Sequence, residues 1–485
     1  MDGTIRRDPR AAQDESYDLV VVGGGIHGAA AALAAAGAGR RILLLEREDF
    51  GAATSWNSLR ILHGGLRYLQ SLDLRRFRRS VRARAWYVEE FPELVEPLAC
   101  LMPLYGRGLR RRATLGPALR LNELLRDMWA TPAELEMFPP GELLSTGQVV
   151  ERFGAVRRTG LTGGALWYDG LLPRPQRVLI EMLRRTAALG GEALNHMEVT
   201  SWTVSGGRVA AVRARDSREW SEYEFRTDAV LNCAGPWAPA LAARHDPALL
   251  KEFHPSTAFN LLLDHPLDSA VSVAVEPAGG GRTYFLHPLE DCTLAGTYHL
   301  ASADGDGTPT PEAVEAFLAD LRAAVPDFHV TPDHVLRVMW GVVPARERGS
   351  TKASSRPLLR AAADADGPDG LHSLVGIKYT TAPLAAAEAV ARVFPTSAGS
   401  STLPGGTAGG VPVRDVPDWT GFGLLADRDP EAAGALLDVI VQEESVLEPD
   451  DLLLRRTDWG LDPRDRKRAY ARVRQLRPGL FERSA

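Results

Sequence analysis

A chain of 485 residues, 45% of them apolar and 24% charged, is too long for one small core and suits two or three globular domains on a common scaffold. Its formal charge of −6 excludes a general nucleic-acid binder, which carries a clear basic excess. Three widely spaced cysteines, Cys100, Cys233 and Cys292, suit neither a disulfide framework nor a zinc site. They point to a reduced compartment, cytoplasmic by default, and no metal is expected.

The first 18 residues, MDGTIRRDPRAAQDESYD, are charged throughout and read as a disordered leader, neither secretory signal nor anchor. No window reaches the 18 or so apolar residues of a membrane span. From Tyr17 the pattern sharpens: DLVVV reads as a buried strand, GGGIHG as a turn, AAAALAAAGAG as a helix and RRILLLE as a second strand ending in an acid. Gly23, Gly25 and Gly28 have GxGxxG spacing, which permits a tight turn, close approach of a pyrophosphate to backbone N–H groups, and close helix-to-strand packing. Glu46 stands where the ribose-binding acid of a dinucleotide site belongs. Strand, helix, second strand and terminal acid together make the fingerprint specific, but they do not separate a nicotinamide from a flavin.

The next stretch, REDFGAATSWNSLRILHGGLRYL, resembles the FAD-dependent glycerol-3-phosphate dehydrogenases, a branch of the D-amino-acid-oxidase-like flavoproteins, whose members carry TSxxSxxLIHGGLRYLE. Thr54, Ser55, Ser58, His63, Gly64, Gly65 and Leu66 match, and the resemblance implies that they lie along noncovalently bound FAD. His63 is accordingly placed on the cofactor side rather than as the catalytic base. Consecutive glycines remove the Cβ atoms that would keep backbone away from a flat ring.

The likeness continues in patches along nearly the whole chain. EVTSWTVSGGRVAAVRAR reads as a β-hairpin, and by resemblance it follows the strand holding the adenine end, near Val199. DAVLNCAGPWA resembles VNATGPW, where the family's chain returns to the cofactor at Gly235; Cys233 is read as a buried small residue. GIKYTTAP resembles GGKLTTYR, which puts a helix N-terminus beside the flavin and Gly376, Lys378 and Thr380 near it. PTSAGSSTLPGGTAGGVPV, 395–413, reads as a linker, followed by an abbreviated C-terminal helical module with an RRT motif, read as a cap on the scaffold.

Departures from the family concern substrate. Its GVRPL arginine, suited to bidentate phosphate binding, is replaced by Val343 in GVVPA. Its KGxHLVV histidine aligns with Phe259, and its GTTD acid with His299. Arg346, Arg348 and Arg360 could still bind an anion. The catalytic candidates are His287, His299, Lys378 and Arg360; a histidine could take the hydroxyl proton as hydride leaves the adjacent carbon, although satisfied structural histidines are the plainer reading. The arginine-rich runs at 75–84 and 107–126, the second interspersed with leucines, suit either a solvated face or a helix resting on anionic lipid at the inner face of a membrane.

The expected architecture is α/β: a discontinuous Rossmann-type FAD-binding domain (17–75, 145–240, 340–395), an antiparallel-sheet substrate domain (76–144, 241–339), and a linker with a C-terminal helical module (396–485). The expected activity is hydride transfer from a polar secondary alcohol, such as a polyol, a sugar derivative or a glycerol-3-phosphate-like metabolite, to flavin N5, with oxygen or a quinone as electron acceptor. Amine oxidation and a non-catalytic FAD-binding partner module are the alternatives.

Overall fold

The computed structural model describes residues 2–66, 73–106, 112–289, 291–301, 307–395, 403 and 410–481. Positions 67–69 of LHGGLRYL, 107–111 of the second basic run and most of the 395–413 stretch lie outside the described residues. The chain forms two compact units: Met1–Trp56, Arg174–Pro255 and Val342–Ala485 make one, Asn57–Pro173 and Ser256–Gly341 the other.

The first unit is built on a sheet whose described strands run in the order Leu358–Ala361, Leu371–Val375, Val230–Asn232, Leu19–Val22, Ile42–Leu45, Glu192–Leu194. All neighbours are parallel except the antiparallel edge pair, Leu358–Ala361 with Leu371–Val375. Leu19–Val22 and Ile42–Leu45 are buried at every residue, as strands covered on both faces must be. The helix Ile26–Gly37 joins them. Its run of alanines favours helix and keeps its sides thin, so a second alanine-rich helix, Ala382–Val393, packs against it. The hairpin Met197–Ser205 and Arg208–Asp216 turns at Gly206-Gly207, whose φ values of 57° and 79° are those a tight hairpin turn demands.

The C-terminal helices belong to this unit and surround the Phe422–Trp459 ring stack, centroids 3.9 Å apart. Buried ion pairs join them to the sheet-side helix Pro175–Ala188. Arg177 donates to Glu181 at 2.7 Å and to Glu444 at 2.8 Å.

The second unit carries a sheet whose described strands run Val335–Pro344, Pro255–Leu263, Cys292–Ala301, Tyr284–Leu289, Ser272–Val275, Glu96–Leu104, Gly163–Leu171, Ile61–Leu62, with Glu142–Leu144 added beside Gly163–Leu171. Alternate residues separate its faces. Phe259, Leu261, Tyr284, Leu286 and Tyr298 enter a large core with the helix Pro311–Ala324. On the other face, Trp167, Ala274 and Phe285 meet the helices Leu74–Glu90 and Arg112–Trp129.

Three expectations change. The N-terminus is no disordered leader: Ile5 is buried, its N–H donates to Glu443 O at 2.7 Å, Arg7 pairs with Asp216 at 2.7 Å, and Pro9–Asp14 is helical. Residues 57–75 and 145–173, expected with the nucleotide-binding half, fall in the second unit, because Ile61–Leu62 and Gly163–Leu171 pair there. The leucines of the second basic run mostly serve a core: Leu115, Leu119 and Leu125 are buried under the sheet.

Arg177 is enclosed with two carboxylates, so removing its charge leaves two buried acids with only Arg184 (on Glu181) and Arg414 (on Glu444) to balance them. Arg177→Met is expected to lower unfolding stability by about 3–5 kcal/mol, measured by urea denaturation.

Candidate functional site

In the first unit the site begins where Leu19–Val22 ends. Gly23 has a φ of 103°, and a Cβ there would lie 2.6 Å from the Cys233 carbonyl oxygen. A Cβ at Gly28 would overlap the carbonyl oxygen of Gly23, so only glycine lets the helix start this close to the strand. Gly25, extended at φ −72° and ψ 178°, precedes the first turn. The Ile26 N–H donates to Ser55 Oγ at 2.9 Å, while those of His27 and Gly28 have no carbonyl within the helix to receive them. An open cradle at the positive end of a helix suits a pyrophosphate.

Glu46, at the end of the second strand, accepts from Gly24 N–H at 2.6 Å and Glu48 N–H at 3.0 Å. Burial pushes its carboxyl up despite those two hydrogen bonds. Thr54 and Ser55 lie on the loop that returns to the fingerprint helix. Val199 is half-buried on the hairpin and packs on the unit's core. Gly235 (φ 54°) opens a short turn after Val230–Asn232. Cys233 is buried and its thiol is pushed well up by desolvation, which makes it inert.

Gly376 follows Leu371–Val375, and a Cβ there would overlap the imidazole of His27. His27 carries no sequence signal beyond its place after the fingerprint glycines; burial pushes its pKa down to about 4, so it is neutral near pH 7. Lys378 is half-buried and Thr380 buried, just ahead of the helix Ala382–Val393, and Tyr379 Oη donates to Pro175 O. This unit thus gathers Gly23, Gly25, Gly28, Glu46, Thr54, Ser55, Val199, Gly235, Gly376, Lys378 and Thr380 on segments meeting at the carboxyl ends of parallel strands, as a doubly wound nucleotide site requires.

Arg360 differs from its expected role. Its guanidinium donates to Asp246 at 3.2 Å and to Glu252 at 2.6 Å, so its charge is already neutralised within the unit. Asp49, His196 and Asp451 offer ligand atoms within 4.8 Å of one another, but Arg456 binds both Asp49 oxygens, so the cation at that cluster is a guanidinium.

In the second unit, Ser58, His63, Gly64, Gly65 and Leu66 lie on the segment flanking Ile61–Leu62. A carboxylate 105 residues away holds it: Asp169 Oδ1 accepts the Gly64 N–H at 2.7 Å, and Oδ2 lies 3.3 Å from His63 Nδ1. Burial alone would push Asp169 up, but the His63 and Gly64 hydrogen bonds and the Arg84 charge hold it below the ordinary carboxylate range. A Cβ at Gly64 would overlap the Arg84 guanidinium, and Leu66 is buried. His63 remains partly exposed and tilts against Phe285, ring centroids 5.5 Å apart. Asp169 was invisible in sequence, being a lone acid at the end of an apolar strand.

Phe259, Val343 and the two candidate histidines occupy different environments. Phe259 is fully buried in the large core, so it does not occupy a substrate-side position; Asn260, on the opposite face, accepts from Thr297 Oγ1 at 2.9 Å. Val343 is buried as well. His299 is half-buried and shares the Asn260 face, its strand neighbour Tyr298 pointing into the core. His287, 7% exposed, has Nδ1 2.7 Å from Ser272 Oγ, and burial pushes its pKa down to about 4. That is the geometry of a satisfied structural histidine more than of a catalytic base.

Comparison with known proteins agrees with the geometry. A family model described as FAD dependent oxidoreductase matches residues 18–392. Glycerol-3-phosphate dehydrogenase 1 of Mycobacterium bovis is 29% identical over 508 aligned positions, covering 96% of this chain and 95% of the relative. The fold is similar to that of the glycerol-3-phosphate dehydrogenase from Bacillus halodurans complexed with FAD (TM-score 0.66, 20% identity, 97% of both chains) and of glycine oxidase from Bacillus cereus (TM-score 0.55, 14% identity, 79% of this chain and 98% of that one).

His27 and His287 bind protons near pH 4 when folded and near 6.5 when unfolded, so the unfolded chain takes up more protons between those values. Folding stability should be complete above about pH 6.5 and fall as pH drops toward 4. Thermal midpoints across that range should show the decline, with a shallower slope in His287→Gln.

Proposed function

The chain belongs to the family of FAD-dependent oxidoreductases, and from that membership we propose that it oxidises a polar secondary alcohol, the hydride passing to FAD. The observation that carries this reading is the Asp169–His63 pair. An alcohol that loses hydride from carbon must also lose its hydroxyl proton to become a carbonyl, so its oxidation needs a base. A neutral amine expels hydride with its own nitrogen lone pair and needs none. Asp169, buried and held below the ordinary carboxylate range, lies 3.3 Å from Nδ1 of His63 and orients the ring so that Nε2 is placed to take the proton. This moves His63 from the cofactor-side role expected of it to that of the base. Bound FAD supplies the hydride acceptor, while the chain's own groups orient the substrate and handle the proton.

The relatives are named for glycerol 3-phosphate, but here the position matched to the family's phosphate-binding arginine is a buried valine, and Arg360 is paired with two carboxylates. Both features favour an uncharged polyol or sugar derivative. The presence of the His63–Asp169 pair beside the Gly64-Gly65 segment speaks for a working enzyme over a binding module.

A membrane-surface position is a second reading, favoured by the helices Leu74–Glu90 and Arg112–Trp129, which pack together. They expose Leu74, Leu124 (60%) and Met128 (64%) beside exposed Arg75, Arg78, Arg82 and Arg120, a mixture suited to anionic headgroups. Among the described residues no helix is long and apolar enough to cross a membrane. Sedimentation with anionic vesicles should carry the protein down, and Leu124→Glu with Met128→Glu should abolish it; equal recovery with neutral vesicles would count against this reading.

Anaerobic mixing tests the reaction. Unphosphorylated polyols or sugar alcohols should bleach the flavin absorbance faster than glycerol 3-phosphate, and amines should leave it unchanged; bleaching by amines alone would overturn the proposal. His63→Gln should keep its FAD and lose roughly 10²-fold or more in the rate of flavin reduction.

A further inference from the structure

The RRT motif near the C-terminus lies far in sequence from anything that binds a cofactor, yet its side chains reach the cofactor loop. Arg456 is fully buried; Nη1 and Nη2 contact the two oxygens of Asp49 at 2.5 and 2.8 Å, and Nε donates to the Glu444 carbonyl at 2.8 Å. Arg455 donates to the Ala52 carbonyl at 3.4 Å, its guanidinium lies 4.8 Å from the Trp56 ring centroid, and its Nη1 is buried with no hydrogen-bond partner among the described residues. Asp49, Ala52 and Trp56 bracket the loop between Glu46 and Ser55. The grip is passed on from there: Phe50 sits so close to Gly24 that a Cβ on Gly24 would lie 2.9 Å from its ring, Gly51 N–H donates to Gly24 O at 3.0 Å, and Ser55 receives the Ile26 N–H.

The same C-terminal segment also holds the start of the hairpin carrying Val199. Asn195 donates to Asp49 at 2.8 Å and to Ser445 O at 2.8 Å, and His196 lies 3.2 Å from Asp451. His196 and Met197 in turn donate from their backbone to the carbonyls of Glu48 and Glu46, both at 2.7 Å. Two stretches assigned to the adenosine and pyrophosphate half of FAD are therefore tied to one another and to residues 444–456.

We propose that Arg455 and Arg456 are positioning residues for FAD: they set the 47–56 loop against the fingerprint helix, so the C-terminal module retains the adenosine-diphosphate half of the cofactor. This rests on the FAD-binding reading and goes beyond it by assigning the module a role other than a cap. Without Arg456 the Asp49 carboxylate is a buried, unpaired charge that gains by swinging to water and taking the loop with it. Without Arg455 the loop loses its contact at Ala52 and Trp56 while the core beneath stays filled.

The test uses the full-length holoenzyme, with release of FAD followed by its fluorescence and thermal midpoints measured with and without added FAD. Arg455→Met should release FAD at least tenfold faster than wild type with the apoprotein midpoint little changed, and Arg455→Lys should recover part of the retention. Arg456→Met should release FAD faster still; where it folds poorly, Arg456→Lys supplies the comparison. Arg472→Ala, which breaks a surface pair with Asp427 on the same module, should behave as wild type. Wild-type release rates in the Arg455 and Arg456 variants would overturn the proposal, whatever their midpoints. A wild-type chain that binds no FAD would instead overturn the underlying reading.

Discussion

At Gly23 and Gly28 a strand carbonyl and a helix α-carbon approach so closely that no side chain fits between them. That contact aims the first turn of an alanine-rich helix at the end of a buried parallel sheet, and most of the first unit follows from it. The thin helix lets Ala382–Val393 pack alongside, bringing Gly376 against His27. The open amides at its start require a loop that approaches without filling them, which Ser55 provides by taking one N–H and leaving the next two. Sterics at two glycines thus decide where an anion can sit; the charges around it only tune how well.

Much of this half was legible from the sequence because its signals are local. A strand, a glycine turn, a helix and an acid fall within thirty residues, and the hairpin announces itself by alternation around two glycines. The substrate half was less legible for a physical reason. STAFNLL belongs to a strand buried on both faces and mixes apolar with polar residues, so no clean alternation reveals that Phe259 turns into the core and Asn260 away from it. Asp169 carries no marker of its own and acquires meaning only when the fold brings it beneath Gly64. The charged N-terminus resembled a solvated tail because its anchors, Ile5 and Arg7, are single residues whose partners lie hundreds of positions on.

Arginine is the residue whose meaning changed most. A chain rich in it invites an anion-binding interpretation, yet Arg84, Arg177, Arg360 and Arg456 all find carboxylates within their own unit. Buried guanidinium groups of this kind serve as multidentate fasteners between segments, a task suited to five donors in a rigid plane. The two units use the device differently: Arg456 fixes the loop that packs against the fingerprint helix, whereas Arg84 lies beneath Asp169 and so backs the segment bearing His63.

The ion pair between Asp49 and Arg456 spans 407 positions, and that separation has a consequence for how the protein is made. At ribosomal speeds of about 5–20 residues per second, the dinucleotide fingerprint emerges roughly 20–80 s before the arginine that completes its loop. During that interval the first strand, helix and second strand exist without their third and fourth neighbours in the sheet, since Val230–Asn232 and Leu371–Val375 are still to come. The Asn57–Pro173 stretch likewise emerges before Ser256–Gly341, which supplies most of its sheet. Neither unit can close during early synthesis, so the nascent chain must keep its exposed parallel strands from pairing with others until the later segments arrive.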